Sequence, residues 1–132
     1  MSMRNTNLWL PLLVRAAFTL SSIVLSADAA AHHSFAQFDA TRELTVKGQV
    51  LSFDWTNPHS WLHLMVRDSK SGETVRWDIE GGSPSGLARQ GWTRHSIKPG
   101  DAATVVIHPL RRGGPGGSWV RVYINGRKIG TV

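Results

Sequence analysis

Two adjacent histidines, His32 and His33, carry the most distinctive chemistry in the sequence, because they follow a segment that reads as a cleavable secretion signal. A cut after Ala29 exposes Ala30, Ala31 and His32. Their amine, two backbone amides and imidazole make a square-planar nitrogen set that suits Cu(II) or Ni(II). A cut after Ala31 makes His32 the first residue, so that its own amine and imidazole chelate copper and a second histidine completes a T-shaped arrangement. Both forms need a deprotonated α-amine, and an ordinary pKa of about 8 brings that within reach near neutral pH once a metal assists. The competing account of the pair is a solvated spacer behind a cleavage site.

Further ligands must come from the domain. Asn57 before Pro58 starts a turn, and His59 follows at its end. His59 and His63 share parity on a strand, yet four residues at about 3.3 Å each hold them roughly 13 Å apart. Two imidazoles on one zinc lie only a few Å from each other, so His59 and His63 cannot share an ion without a sharp bend. A metal site would therefore draw on His32 and His33, with or without His59, and with His63, His108 and Asp39 as weaker candidates, for copper or another transition metal. For His63 the competing account is a cross-strand partner beside Trp61, and for His95 a solvated loop position.

Five of the six tryptophans lie beyond the signal segment. Trp77 alternates with Val75 and Ile79 and reads as core. Trp55 and Trp61 flank the Asn57 turn and read as the rim of a ligand site, since indole faces stack on sugars, bases or aromatic ligands; small barrels also use such rings as filler. Arg111 and Arg112 open a glycine-rich loop that would grip an anion or simply connect two strands. The ligand-binding candidates are thus Trp55, Asn57, Trp61, Arg111 and Arg112. Met65 is a soft copper ligand or a packing residue, and Asp78 and Glu80 read as solvated charges on an exposed strand face. No catalytic constellation emerges, because Ser34, Ser60, Ser83 and Ser118 lack a nucleophile-elbow context. Cysteine is absent, which rules out disulfides, thiolate metal sites and a cysteine nucleophile.

The elements that must position these residues follow from the pattern. Residues 1–29 carry Arg4 and Arg15, a short apolar run from Ala16 to Leu25, and small residues at Ala27 and Ala29, with an alternative cut up to residue 31. The apolar run is half the ~20 residues that a spanning helix needs. Residues 30–41 form an arm and residues 42–132 one domain, about the size that supports a single modest core. The net charge of +6 suits an anionic partner; for an exported protein that means a polysaccharide, a lipid surface or a small anion rather than nucleic acid. In residues 44–53, Leu44, Val46, Gly48, Val50 and Ser52 alternate with Thr45, Lys47, Gln49, Leu51 and Phe53, the period of a strand. Gly48 suggests a bulge or coil in mid-strand. Strands over 61–67 and 74–80 follow, then a short helix from Ser83-Pro84 to Gln90. Strands at 104–108 and 119–124 come next, and Asn125-Gly126 turns the last into 127–132. Three strands, a helix and two strands is the order of a five-stranded OB-fold barrel. A small β-sandwich has similar spacing, but the placement of the helix favours the barrel.

The ordered motifs Ala31-His-His-Ser-Phe-Ala36, Phe38-Asp39, Trp55-Thr-Asn-Pro-His59, Gly91-Trp-Thr-Arg94 and Lys98-Pro-Gly-Asp101 resemble a family of small exported bacterial proteins catalogued as a domain of unknown function. The resemblance spans essentially the whole processed chain. It implies export and a single domain, and brings no activity or site residues. The expectation is therefore a periplasmic, non-enzymatic binding protein. It would take copper through the histidine pair, with or without His59, or bind an anionic or aromatic ligand, an envelope polymer or a partner protein through a basic, tryptophan-rich face.

Overall fold

A computed structural model describes residues 36–130. Residues 1–29, read from the sequence as a secretion signal, and the His32/His33 pair lie outside the described residues. The chain divides into two compact units, residues 1–36 and 37–132, and the fold described here is that of the second. Among the described residues no helix is long and apolar enough to cross a membrane.

Six strands and one helix follow in the order β1 (Leu44–Asp54), β2 (Trp61–Arg67), β3 (Thr74–Glu80), α1 (Pro84–Arg89), β4 (Ala102–Pro109), β5 (Gly116–Ile124) and β6 (Arg127–Ile129). The long β1 serves two neighbours: Leu44–Gln49 pairs antiparallel with β4, and Gln49–Asp54 with β2. β2 pairs with β3, β4 with β5, and a short parallel ladder from Asp78–Glu80 to Gly116–Ser118 closes the ring. The result is a closed five-stranded barrel of OB type, with α1 between the third and fourth strands and β6 folded onto β5 by the Asn125–Gly126 turn. Both turn residues take positive φ, as a two-residue hairpin with right-handed twist demands.

Closure depends on small residues where the sequence suggests only a loop. β5 begins at Gly116 rather than near Trp119, because a Cβ on Gly117 would lie 2.5 Å from the His108 carbonyl oxygen. Without side chains here, β5 comes close enough to pair with β3 and β4 at once. The irregularity expected at Gly48 falls instead between Val50 and Ser52. Leu51 is the extra residue and is left 44% exposed. One inserted residue exchanges the faces of everything beyond it. Phe53, rather than Ser52, therefore turns toward the core, and Asp54 turns outward.

Val46, Val50, Leu62, Leu64, Ile79, Val105, Ile107, Val122 and Ile124 fill the barrel, each fully buried aliphatic side chain contributing about 1.5–3 kcal/mol. Leu87 on α1, Trp92 and Ile97 extend this core. The helix starts where Ser83 Oγ accepts the Gly86 amide and Pro84 occupies the first turn, the arrangement of an N-cap serine before proline. Trp92 and Trp119 stack with centroids 5.5 Å apart and 4° between planes, and Phe53 tilts against both. Residues 37–41, which the sequence places in an arm, dock along the end of β4: Phe38 bridges Leu110 and is buried, and the Asp39 amide donates to the Pro109 carbonyl at 2.8 Å.

Candidate functional site

The outer face of β2 and β3 gathers most of the chemistry in the described chain. Strand alternation turns Trp61, His63 and Met65 outward, and the register sets them opposite Glu80, Asp78 and Arg76. Residues directly opposite on one face touch. His63 is only 8% exposed. Its Nδ1 lies 2.5 Å from Asp78 Oδ1 and its Nε2 lies 3.1 Å from Asp54 Oδ2. Arg76 Nε donates to the same Asp78 oxygen at 2.7 Å, while Arg76 Nη2 stands 3.0 Å from His63 Nδ1. A single ring nitrogen satisfies either the carboxylate as a donor or the guanidinium as an acceptor, so the position of one proton selects between the two contacts. Partial burial pushes the Asp78 carboxyl up, but the hydrogen bonds from Arg76 and His63 outweigh it and hold Asp78 below the usual carboxylate range. The charges on this strand face are therefore paired rather than simply solvated, although Asp78 and Arg76 remain about half exposed.

Glu80 departs further from that expectation, being 3% exposed. Its Oε1 lies 3.3 Å from His59 Nδ1, and Gln37 Nε2 donates to Oε2 at 3.4 Å. His59 Nδ1 also reaches the Gly81 carbonyl at 3.2 Å. Thr56 Oγ1 donates to the His59 carbonyl at 3.0 Å, which fixes the turn around the cis Asn57–Pro58 bond. A buried carboxyl group needs hydrogen-bond partners, and Glu80 has Gln37 and His59 beside it.

Next to this face opens a cleft of about 290 Å³, walled by Gln37, Phe38, Trp61, Asp78, Leu110 and the loop Arg112–Gly117. Trp61 supplies a half-buried aromatic wall and Asp78 a carboxylate. Arg112 supplies an exposed guanidinium with no hydrogen-bond or ion-pair partner among the described residues.

The candidates read from the sequence divide accordingly. Trp61 and Arg112 meet in the cleft. Trp55 turns away, packing edge-on against Phe53 at 5.8 Å, and belongs to the aromatic end of the core. Asn57 and Arg111 are exposed beside the site without lining the cleft. His108 donates from Nδ1 to the Arg42 carbonyl at 2.9 Å. Asp39 accepts the hydroxyl of Thr41 at 2.6 Å and its amide at 3.2 Å, and these two bonds lower its carboxyl pKa. Among the described residues no group of three or more histidine, aspartate or glutamate side chains is placed to hold a metal ion. His63, His59 and His108 each have a carboxylate or carbonyl partner rather than one another.

Gln37, Asp54, Arg76, Asp78 and Glu80 are the participants that sequence reasoning missed. The β2–β3 pairs were within reach, because a hairpin centred on the polar turn Asp68–Gly72 sets His63 opposite Asp78. Asp54 was not, since its face depends on the bulge at Leu51.

One solved structure similar to this chain is the crystal structure of the mitochondrial single-stranded DNA binding protein Rim1 of S. cerevisiae. It matches at 8% sequence identity with a TM-score of 0.49, over 65% of this chain and 95% of that one. No curated protein matches the chain. The model of a family of unknown function, DUF6152, matches residues 20–119. That match takes in β1 to β4, the whole cleft and the start of β5, and the chain belongs to the DUF6152 family.

Proposed function

We propose that the protein is an exported, non-enzymatic binding module that takes a small ligand, or one unit of an envelope polymer, in the cleft between Trp61 and Arg112. The observation that carries this reading is the composition of that cleft: an aromatic wall, a cation with no partner among the described residues and an anchored carboxylate around about 290 Å³. Ligand sites combine apolar lining with a few placed polar groups in this way. The position supports it as well. In OB barrels the face of strands two and three, flanked by the loops after strands one and four, binds oligosaccharides and oligonucleotides. Here the loop after strand four, residues 110–115, walls the cleft, whereas none of residues 55–60, the loop after strand one, lines it.

The test is a screen of the processed protein by amide and indole NMR shifts against neutral and acidic sugars, aromatic acids and short oligonucleotides. Shifts centred on Trp61, Gly113 and Gly114 support the cleft. Shifts scattered over the barrel, or confined to Trp92 and Trp119, defeat it.

Copper binding through His32 and His33 is a separate proposal. It rests on the nitrogen donors that processing would create in the sequence. Titration of copper into the processed protein and into a form lacking residues 30–33 decides it: a tight site seen only in the longer form supports the proposal, and equally weak binding by both sinks it.

A further inference from the structure

We propose that the ligand of the cleft is an acidic saccharide, a sugar ring that carries a carboxylate; this rests on the cleft reading above and deepens it.

Each wall of the cleft restricts the ligand. Arg112 is exposed and has no partner among the described residues. A guanidinium only donates hydrogen bonds and always carries charge, so the group it meets is an acceptor, and an anionic one binds best. Asp78 restricts the other side. His63 and Arg76 both bond to its Oδ1, which leaves acceptor capacity on Oδ2. With its carboxyl held below the usual range by those neighbours, Asp78 only accepts, so the ligand there must donate. Hydroxyl groups do so without bringing a second cation toward Arg76 and Arg112.

The third restriction is apolar. Trp61, Phe38, Leu110 and Pro115 give the cleft a carbon-rich side, which suits the C–H face of a pyranose as well as an aromatic ring. An aromatic acid would use Trp61 and Arg112 and offer no donor to Asp78 Oδ2, leaving that oxygen's acceptor capacity unmatched by the ligand. A phosphate dianion would satisfy Arg112 but set two negative charges beside Asp78. A neutral sugar would satisfy Asp78 and Trp61 and leave the cation unused. A ring with hydroxyls on one side and a carboxylate on the other uses all three walls. The volume of about 290 Å³ sits at the lower end of ordinary ligand pockets, so one or two rings are seated rather than a long stretch of polymer.

The experiment titrates the processed protein with digalacturonic acid, with the neutral methyl galactoside and with benzoate, read by tryptophan fluorescence and by the Trp61 indole NMR signal. Digalacturonate is expected to bind at least tenfold more tightly than either of the others. Arg112→Gln, a change at an exposed side chain, is expected to erase the preference over the galactoside. Asp78→Asn is expected to erase the preference over benzoate. Equal affinity for galactoside and digalacturonate, unchanged in Arg112→Gln, overturns the acidic class and leaves the cleft standing. Benzoate binding as tightly as digalacturonate, unchanged in Asp78→Asn, overturns the saccharide. If none of the three perturbs the Trp61 signal while shifts appear elsewhere, the cleft reading itself falls.

Discussion

Trp61 and Trp92 are the same residue type put to opposite uses on one small barrel. Trp92 is 5% exposed and stacked on Trp119, with Phe53 against both rings. It plugs one end of the core. Trp61 lies on the outer wall of β2, half-buried between Asp54 and Glu80 in the strand register, and faces the cleft. The aromatic end is held by shape alone, whereas the outer face is held by charges whose partners come from three separate segments. Packing density makes the first intolerant of change. The second has exposed members that can be exchanged without opening a cavity.

The largest expected effect tests the first half of this contrast. Trp92→Ala removes a buried ring and is expected to destabilise the protein by about 3–5 kcal/mol in denaturant unfolding. Gly81→Ala probes the same region by addition: a Cβ there would sit 1.8 Å from the Trp119 ring, and overpacking of that kind costs about 1–3 kcal/mol. If either variant unfolds at the wild-type denaturant midpoint, the aromatic end is not the rigid half.

Glu80→Ala sharpens the contrast on the outer face, where only the buried Glu80 and its hydrogen-bond partners are structurally demanding. It leaves His59 and Gln37 facing a vacated site and should cost about 3 kcal/mol, well above the loss from Arg112→Gln. Trp61→Ala is expected to cost about 1 kcal/mol or less in stability while abolishing ligand-induced fluorescence changes. Were its stability loss to match that of Trp92→Ala, the functional assignment of Trp61 would fail and it would count as core.

The smallest effect concerns pH. Asp78 has a folded pKa below its unfolded value. The stability it contributes is therefore complete above the ordinary carboxylate pKa of about 3.9 and is lost as pH falls through the lower folded value. Its side chain is about half exposed, with 49% accessible, so solvent screening limits the contribution to about 1 kcal/mol or less. Unfolding of wild type and Asp78→Asn should differ above pH ~4 and converge below it. A gap that widens on acidification contradicts the network.

Much of the barrel is legible in the sequence. The alternations over Trp61–Arg67 and Thr74–Glu80 matched the strands to the residue, and Ser83-Pro84 marked the helix start. Period is a local property, and local side-chain chemistry is enough to reveal it. Two of the residues that line the candidate cleft were among the sequence candidates: Trp61, from its place beside the Asn57 turn, and Arg112, from its glycine loop. Asp54 and Glu80 were not. An outward carboxylate reads as solvated until another segment is known to cover it, and Gln37 covers Glu80 from beyond β1.

What the sequence determined by itself was the set of strands, their inward aliphatic residues and the order that makes an OB barrel. Each of these is encoded within a few residues by alternation, turn chemistry and capping. Only the tertiary structure decided which polar residues meet. The bulge at Leu51 aims Asp54 at His63, the glycines at the start of β5 let the ring close, and the 37–41 stretch covers Glu80 and completes the cleft. All three depend on register and on contacts between distant segments, and neither is encoded in a local pattern.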